Sequence, residues 1–180
     1  KEIAEDLEKE RKCPVCGDKL HKGQGIEVGN IFQLNTKFSE PFGLKYKSED
    51  GKEKPVYMGC YGLGTTRAMG AVAEVSSDEK GLIWPESIAP FQVHLLSIGD
   101  PSAKLRANTA YSNLQKAGIE VLYDERDVSS GEKFMDADLI GIPLRLIVSE
   151  KTGDKIEVKR RNEEKAKIMS VKEAISFINS

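Results

Sequence analysis

The sequence predicts a two-part molecule of mixed α/β and α+β class, with a partial antiparallel sheet first and a mostly parallel, helix-covered sheet second. Three observations lead there. Residues 25–62 hold β-branched and aromatic runs joined across Asp50-Gly51, a strong hairpin signal. Residues 91–178 alternate short apolar runs with amphipathic ones in the order βαβαββα, which calls for crossovers and helices over a sheet. Between these stretches, Pro85 and Pro90 restrict the chain on either side of Ile88, and the pattern changes there. The expected parts are residues 1–85 and 90–180.

Composition bounds the function. With 39% hydrophobic and 31% charged residues in 180, the chain has the make-up of a soluble globular protein able to bury a core. No segment is apolar for long enough to cross a bilayer and no signal peptide precedes Lys1, so a cytoplasmic location and no membrane partner are expected. A net charge of −2 gives no whole-molecule field for nucleic acid, so such binding requires a local basic patch. The three cysteines are an odd count without a secretion signal, and reduced thiols are expected.

In chain order, residues 1–12 look like the end of a helix with Ile3, Ala4 and Leu7 on one side. They begin without a cap or an initiator Met, the expectation for a chain cut from something longer. Cys13 to Gly17, CPVCG, has the spacing of half a zinc site, with His21 close by in sequence. A closed site needs four ligands, and only Cys60 and His94 remain elsewhere, so two readings stand: a zinc half-site, or a turn with two free thiols. No structural zinc is expected. Gly25 to Tyr46 follows as strand-forming sequence broken at Pro41 and Gly43, and after the polar turn PVYMGCYG resumes it. Pairing of these runs sets Gly25–Gln33 beside Met58–Gly62.

The stretch Met58 to Glu74 has the pattern of a strand passing through a glycine turn into a helix. Gly59, Gly62 and Gly64 admit a flat or anionic ligand where a Cβ would block it. The helix opens near Thr65 with free N–H groups, and Arg67 stands in its first turn, which together make an anion site suited to a nucleotide. The plainer alternative is a tight turn with a solvated arginine. SSDEKG then forms a loop and GLIWPESIAP a connector. Strands are expected at FQVHLLSI, IEVLYD, PLRLIVS and KIEVKRR, with helices over Ala103–Ala117, Glu132–Ile140 and Val171–Ile178. The short apolar strands fit burial on both faces.

Four blocks, GIEVGNIFQLNTKFSE, MGCYGLGTTRAMGA, GLIWPESIAPFQVHL and DERDVSSGEKFMDADLIGIPLRLIV, occur in the order in which similar blocks occur in one family. Over Cys13 to about Arg161 the chain resembles the C-terminal half of bacterial-type prolyl-tRNA synthetases. The resemblance implies a partial class II synthetase sheet carrying motif 3, then an α/β anticodon-binding domain. It implies a proline–tRNA ligase that activates proline with ATP and passes it to proline tRNA, with Mg²⁺ on the phosphates and a homodimer for the full-length enzyme. In that family's pattern Arg67 matches the motif 3 arginine that pairs with the ATP γ-phosphate. Gly62 and Gly64 match the floor under the adenine, and Gln33 and Thr36 the positions meeting the ribose and aminoacyl end. Phe32, Gly59 and Cys60 border the proline pocket, although Cys60 also fits as a small buried thiol.

Two positions depart from the pattern. Asn30 stands where a histidine is usual, and Asn35 where a glycine is usual, so the amino-acid side of the pocket is less well matched than the ATP side. Motifs 1 and 2 have no counterpart, nor has the editing insertion, save for its exit segment around Lys1–Gly17. The chain is therefore expected to be inactive alone. A noncatalytic synthetase-like tRNA-binding or accessory protein is the alternative, against which the intact Arg67, Gly62 and Gly64 weigh. In the second part, Arg126, Lys133 and Asp136 match family positions near the anticodon, and Lys159 with Arg160 and Arg161 forms a small basic run facing either phosphate or solvent. Phe134 has two readings, a stacking face for a base or a core aromatic.

Overall fold

A computed structural model describes residues 12–13, 15–21 and 25–179. Of the helix end expected over residues 1–12, all but Lys12 lies outside the described residues. Two compact units are present, Lys1–Ala68 and Met69–Ser180. Of the residues that the sequence groups as 1–85, residues 69–85 fall within the second compact unit.

In the first unit, β1 (Gly29–Asn35) runs antiparallel to β4 (Met58–Leu63), with Gly29 opposite Leu63 and Phe32 opposite Cys60. The intervening sequence forms its own hairpin of β2 (Lys45–Lys47) and β3 (Glu53–Pro55). Its turn is closed where the Ser48 and Gly51 amides donate to the carbonyls of Lys52 and Ser48. The Asp50 carboxylate accepts from the Ser48 hydroxyl and the Lys52 amide, which is why an Asp-Gly pair works there. At the end of β1 the ladder bulges between Gln33 and Asn35, and Asn35 takes φ +49°. A left-handed residue is required at that bulge, so glycine suits it and asparagine is the side chain that substitutes with least strain. Both faces of the β1–β4 ribbon remain open: Tyr61 is 77% exposed on one and Phe32 48% on the other. Among the described residues of this unit only Ser39 is buried.

The helix α1 (Thr65–Val75) runs across the division between the units. The second unit is built on β7 (Val93–Ile98), α2 (Pro101–Lys116), β8 (Val121–Asp124), α3 (Ser130–Ile140) and β9 (Leu144–Ser149). It finishes with β10 (Ile156–Arg160), β11 (Lys167–Met169) and α4 (Val171–Ile178). The sheet order is β11-β10-β9-β7-β8, with β7 parallel to both β8 and β9, and β10 and β11 added antiparallel at one edge. Both parallel neighbours of β7 are reached through a helix, and β7, the middle of the three parallel strands, is the most buried strand of the sheet. One face packs Val93, Leu95, Leu146 and Val148 against Ala107, Ala110 and Leu114 of α2 and Ala174 of α4. On the other face Leu96 and Ile147 meet Ala137 of α3.

Capping sets the helix starts. Asp100 accepts from the Ala103 amide ahead of Pro101, and Ser129 accepts from the Glu132 amide, so α2 and α3 each begin two residues earlier than the apolar spacing suggests. Ser170 and Glu173 form a capping box on α4.

Two further strands, β5 (Ser77–Asp78) and β6 (Gly81–Leu82), pair where a loop is expected, and β6 lies on α3. The contact is close. A Cβ at Gly81 would sit 2.4 Å from the Leu139 Cα, and one at Gly141, where φ is +75°, would sit 2.0 Å from the Leu82 carbonyl oxygen. The Trp84 amide donates to the Gly141 carbonyl at 3.0 Å. Arg161, its side chain only 6% exposed, donates to both Asp78 oxygens at 2.9 and 2.7 Å and to the Asp138 carbonyl at 3.1 Å. These bonds hold the Asp78 carboxyl well below the usual carboxylate range. Residues 77–86 thus form a strap that Arg160 also grips, through Glu86.

His94 lies buried at the α3 face of β7, and its Nδ1 has no partner among the described residues. Burial chiefly pushes its pKa down to about 4, with Arg145 also lowering it against the pull of Asp124. The unfolded chain binds the proton near 6.5, so the stability held above that pH is lost as pH falls toward 4. The loss expected is on the order of 3 kcal/mol. Urea melts of the chain between pH 7 and pH 4 measure it, and His94→Gln should flatten that part of the profile.

Candidate functional site

Two regions gather the chemistry-bearing residues, one in each unit. In the first, β4 ends at Leu63, Gly64 turns the chain, and α1 starts at Thr65 with no acidic residue in its first turn. The Gly64 amide donates to the Val28 carbonyl at 2.9 Å, which docks the turn on the chain entering β1. A Cβ at Gly64 would stand 3.3 Å from the Arg67 Cβ, so the glycine lets the arginine stem lie across the turn. The Arg67 Nη1 donates to the Glu27 carbonyl at 2.8 Å, and the side chain remains 55% exposed. A guanidinium held at one donor with the rest in solvent can still take an oxyanion.

The register sorts the other candidates by face, since residues directly opposite in an antiparallel pair point the same way. Asn30 pairs with Gly62 and Phe32 with Cys60, which puts these four on one face. Gln33 pairs with Gly59 and Ile31 with Tyr61 on the other. Gly62 has open space where a Cβ would be. Cys60 is exposed, so it is not the small buried thiol of the plainer reading. Thr36 lies in the turn beyond β1, its carbonyl accepting from the Ser39 hydroxyl and the Glu40 amide. The Asn30 side-chain oxygen accepts from the Ile31 amide at 2.7 Å.

In the second unit, the carboxyl ends of β7 and β8 and the first turns of α2 and α3 enclose a cleft of about 320 Å³. Its lining includes Gly99, Lys104, Arg126, Asp127, Ser130 and Lys133. Lys133 is 4% exposed, and its ammonium donates to the carbonyls of Ser97 at 2.9 Å and Asp124 at 3.2 Å. Desolvation lowers its pKa, opposed by Asp124. Arg126 donates to both Asp124 oxygens at 2.9 and 2.8 Å and to Asp136 at 2.7 Å. The Asp124 carboxyl is accordingly held below its ordinary value, mainly by Arg126. Half of the Arg126 side chain is exposed, so the cluster presents a planar donor on a fixed base.

Lys159 is not brought to this cleft. Its register partner is Arg145, near the start of β9, and it lines a small crevice with His94, Asp138 and Arg160. Phe134 packs against Leu96, Ala137 and Ile147 beneath the Arg145 guanidinium, which makes it a core aromatic.

Comparison with known proteins bears on both regions. Residues 91–180 match the family described as the anticodon binding domain. The chain belongs to the anticodon-binding domain family. Residues 18–76 of the same chain match the tRNA synthetase class II core domain of the G, H, P, S and T type. The chain is 46% identical over 171 residues to a proline–tRNA ligase of Persephonella marina, covering 93% of this chain and 30% of that protein. It is 49% identical over 150 residues to the proline–tRNA ligase of Thermosipho melanesiensis, covering 83% and 27%. Prolyl-tRNA synthetase from Cryptosporidium parvum, solved with halofuginone and AMPPNP, superposes with a TM-score of 0.73 at 27% identity, covering 84% of this chain and 33% of that one. The chain thus spans about a third or less of the length of the relatives it matches.

The anticodon-binding domain contains residues that spacing alone does not single out. Lys104, Asp124 and Asp127 join the cleft or its base only because β7 and β8 end side by side, and the sequence signal for them is position at the end of a predicted strand or in the segment that follows it. In this domain Lys133 is also a structural cation. Lys133→Met removes the ammonium from the Ser97 and Asp124 carbonyls, leaving the latter only the longer bond from the Ser97 hydroxyl, and a loss of about 1–3 kcal/mol in urea unfolding is expected.

Proposed function

We propose that this chain supplies the motif 3 half of the ATP and proline site, together with the anticodon-binding domain, of a proline–tRNA ligase. The observation that carries this is the 46% identity to a proline–tRNA ligase running through 93% of the chain, across both units. In the proposed reaction the proline carboxylate attacks the ATP α-phosphorus, forming prolyl-adenylate and releasing pyrophosphate. The terminal hydroxyl of proline tRNA then takes the prolyl group and AMP leaves. Catalysis of this kind rests on positioning and charge stabilisation.

The proposed roles follow the chemistry of the side chains. Arg67 neutralises the γ-phosphate, Gly62 and Gly64 lie under the adenine, and Gln33 and Thr36 meet the ribose and aminoacyl end. Asn30, Phe32, Gly59 and Cys60 border the proline. The shared face of Asn30, Phe32, Cys60 and Gly62 supports one continuous site, while Gly59 and Gln33 pair on the opposite face, beside Tyr61. Mg²⁺ accompanies ATP and neutralises its phosphates. The remainder of the catalytic sheet, including the motif 1 and motif 2 elements, is provided by the rest of a cytoplasmic, homodimeric enzyme. The uncovered Ile31, Tyr61 and Leu63 support that division of the site. Residues 1–85 are proposed as the catalytic part and 90–180 as the anticodon-binding part.

For tRNA, Arg126 and Asp136 offer a donor and an acceptor at the rim of the strand-end cleft, and Lys133 forms its floor. Lys159 is proposed to meet a backbone phosphate apart from the cleft. Base contacts discriminate and phosphate contacts only add salt-dependent affinity. The chain should therefore prefer proline tRNA over the same tRNA with a changed anticodon. Arg126→Ala should narrow that preference by about tenfold or more, while Lys159→Ala weakens both tRNAs alike. Titrations at two salt concentrations measure this, and equal affinity of the unmodified chain for the two tRNAs would overturn anticodon recognition. In a complete ligase, Arg67→Ala should cost about 10²–10³ in proline-dependent ATP–pyrophosphate exchange.

A further inference from the structure

Away from the strand-end cleft, the second unit carries a row of nitrogen-bearing side chains on the α3 face of its sheet. The register sets His94 of β7 beside Arg145 of β9, and Arg145 beside Lys159 of β10, so the three stand level on adjacent strands. All three line a crevice of about 10 Å³ together with Asp138, Arg160 and Arg161. Each arginine there has a carboxylate: Arg145 donates to Asp138 at 2.9 Å, Arg161 to Asp78, and Arg160 to Glu86. Among the described residues the Lys159 ammonium has no such partner. Two buried nitrogens of the same lining, His94 Nδ1 and Arg145 Nε, also lack a hydrogen-bond partner among the described residues.

We propose that this crevice is a site for one halide ion, chloride in ordinary solution, held by the Lys159 ammonium, Arg145 Nε and His94 Nδ1. Size and charge select that ligand class. A space of about 10 Å³ takes one water-sized atom and excludes a tetrahedral oxyanion, and the half-buried Lys159 stem can give by the little more that a halide needs. Buried N–H groups without an acceptor are costly, and an ion that only accepts satisfies several at once. The Asp138 charge is matched by Arg145, and the other two arginines have their own carboxylates. Lys159 is what remains, so the lining calls for a single negative charge, which water would not supply. Burial keeps the His94 imidazole uncharged at neutral pH. It then carries one hydrogen, and an anion selects the tautomer with that hydrogen on Nδ1. The phosphate contact proposed for Lys159 is compatible with the ion, since an ammonium has three hydrogens.

The test is an ¹⁵N spectrum of the histidine rings of the whole chain at neutral pH, titrated with sodium chloride while gluconate holds the ionic strength constant. The chain has 2 histidines, so His21 is the internal control, and His94→Gln assigns the signals. The His94 ring should move along one saturating curve toward the Nδ1–H tautomer, with bromide acting alike and His21 unmoved. Sulfate and inorganic phosphate at equal ionic strength should leave the His94 ring where it is. Lys159→Ala should raise the chloride concentration at half-saturation about tenfold or more, with unchanged circular dichroism. A His94 ring indifferent to chloride would overturn the halide site. Equal shifts with sulfate, or a chloride response undiminished in folded Lys159→Ala, would overturn it as well.

Discussion

The ammonium of Lys133, buried between the Ser97 and Asp124 carbonyls, fixes the ends of the two neighbouring parallel strands β7 and β8 to the first turns of α3. Parallel strands finish with carbonyls directed out of the ladder, and a cation beneath them satisfies acceptors that would otherwise be lost to solvent or left bare. A lysine is costly to bury, and its depressed pKa reflects that cost. What offsets the cost is the set of carbonyls and the Asp124 charge close by. With those strand ends fixed, Arg126 can be oriented by Asp124 and Asp136, and the cleft above them acquires a floor. The cleft of the second unit thus depends on a side chain that scarcely touches solvent.

The first unit obeys the opposite constraint. A two-stranded ribbon with its apolar residues exposed on both faces cannot stabilise itself by burial, and only Ser39 is buried among its described residues. Its order comes from local devices: the bulge at Asn35, the Asp50-Gly51 turn, and the docking of Gly64 and Arg67 on the segment that enters β1. Such devices hold the glycine-lined turn in shape while Ile31, Tyr61 and Leu63 stay uncovered, in a chain about a third as long as the relatives it matches.

Much of this architecture was legible. The apolar runs that became β7, β8 and β9 are direct readouts of burial, and the glycine turn before Thr65 marks the change from strand to helix, so the succession of strands and helices along the chain followed from them. The strap and β11 were not legible, because two- and three-residue strands exist only where a partner holds them: Gly81 against Leu139, Lys167 against Val158. Burial of charge was equally hidden. Lys133 and Arg161 carry no local mark distinguishing them from Lys159, which the register places away from the cleft. Only the fold decides which basic residues become part of the core.

The most direct test of the strand-end cleft as the base-reading surface is amide chemical-shift mapping of the labelled chain with an anticodon stem-loop of proline tRNA. The account predicts the largest shifts at Gly99, Asp127, Ser130 and Lys133, around the ends of β7 and β8. Shifts centred instead on Lys159 and the start of β9, with the cleft amides unmoved, would contradict it.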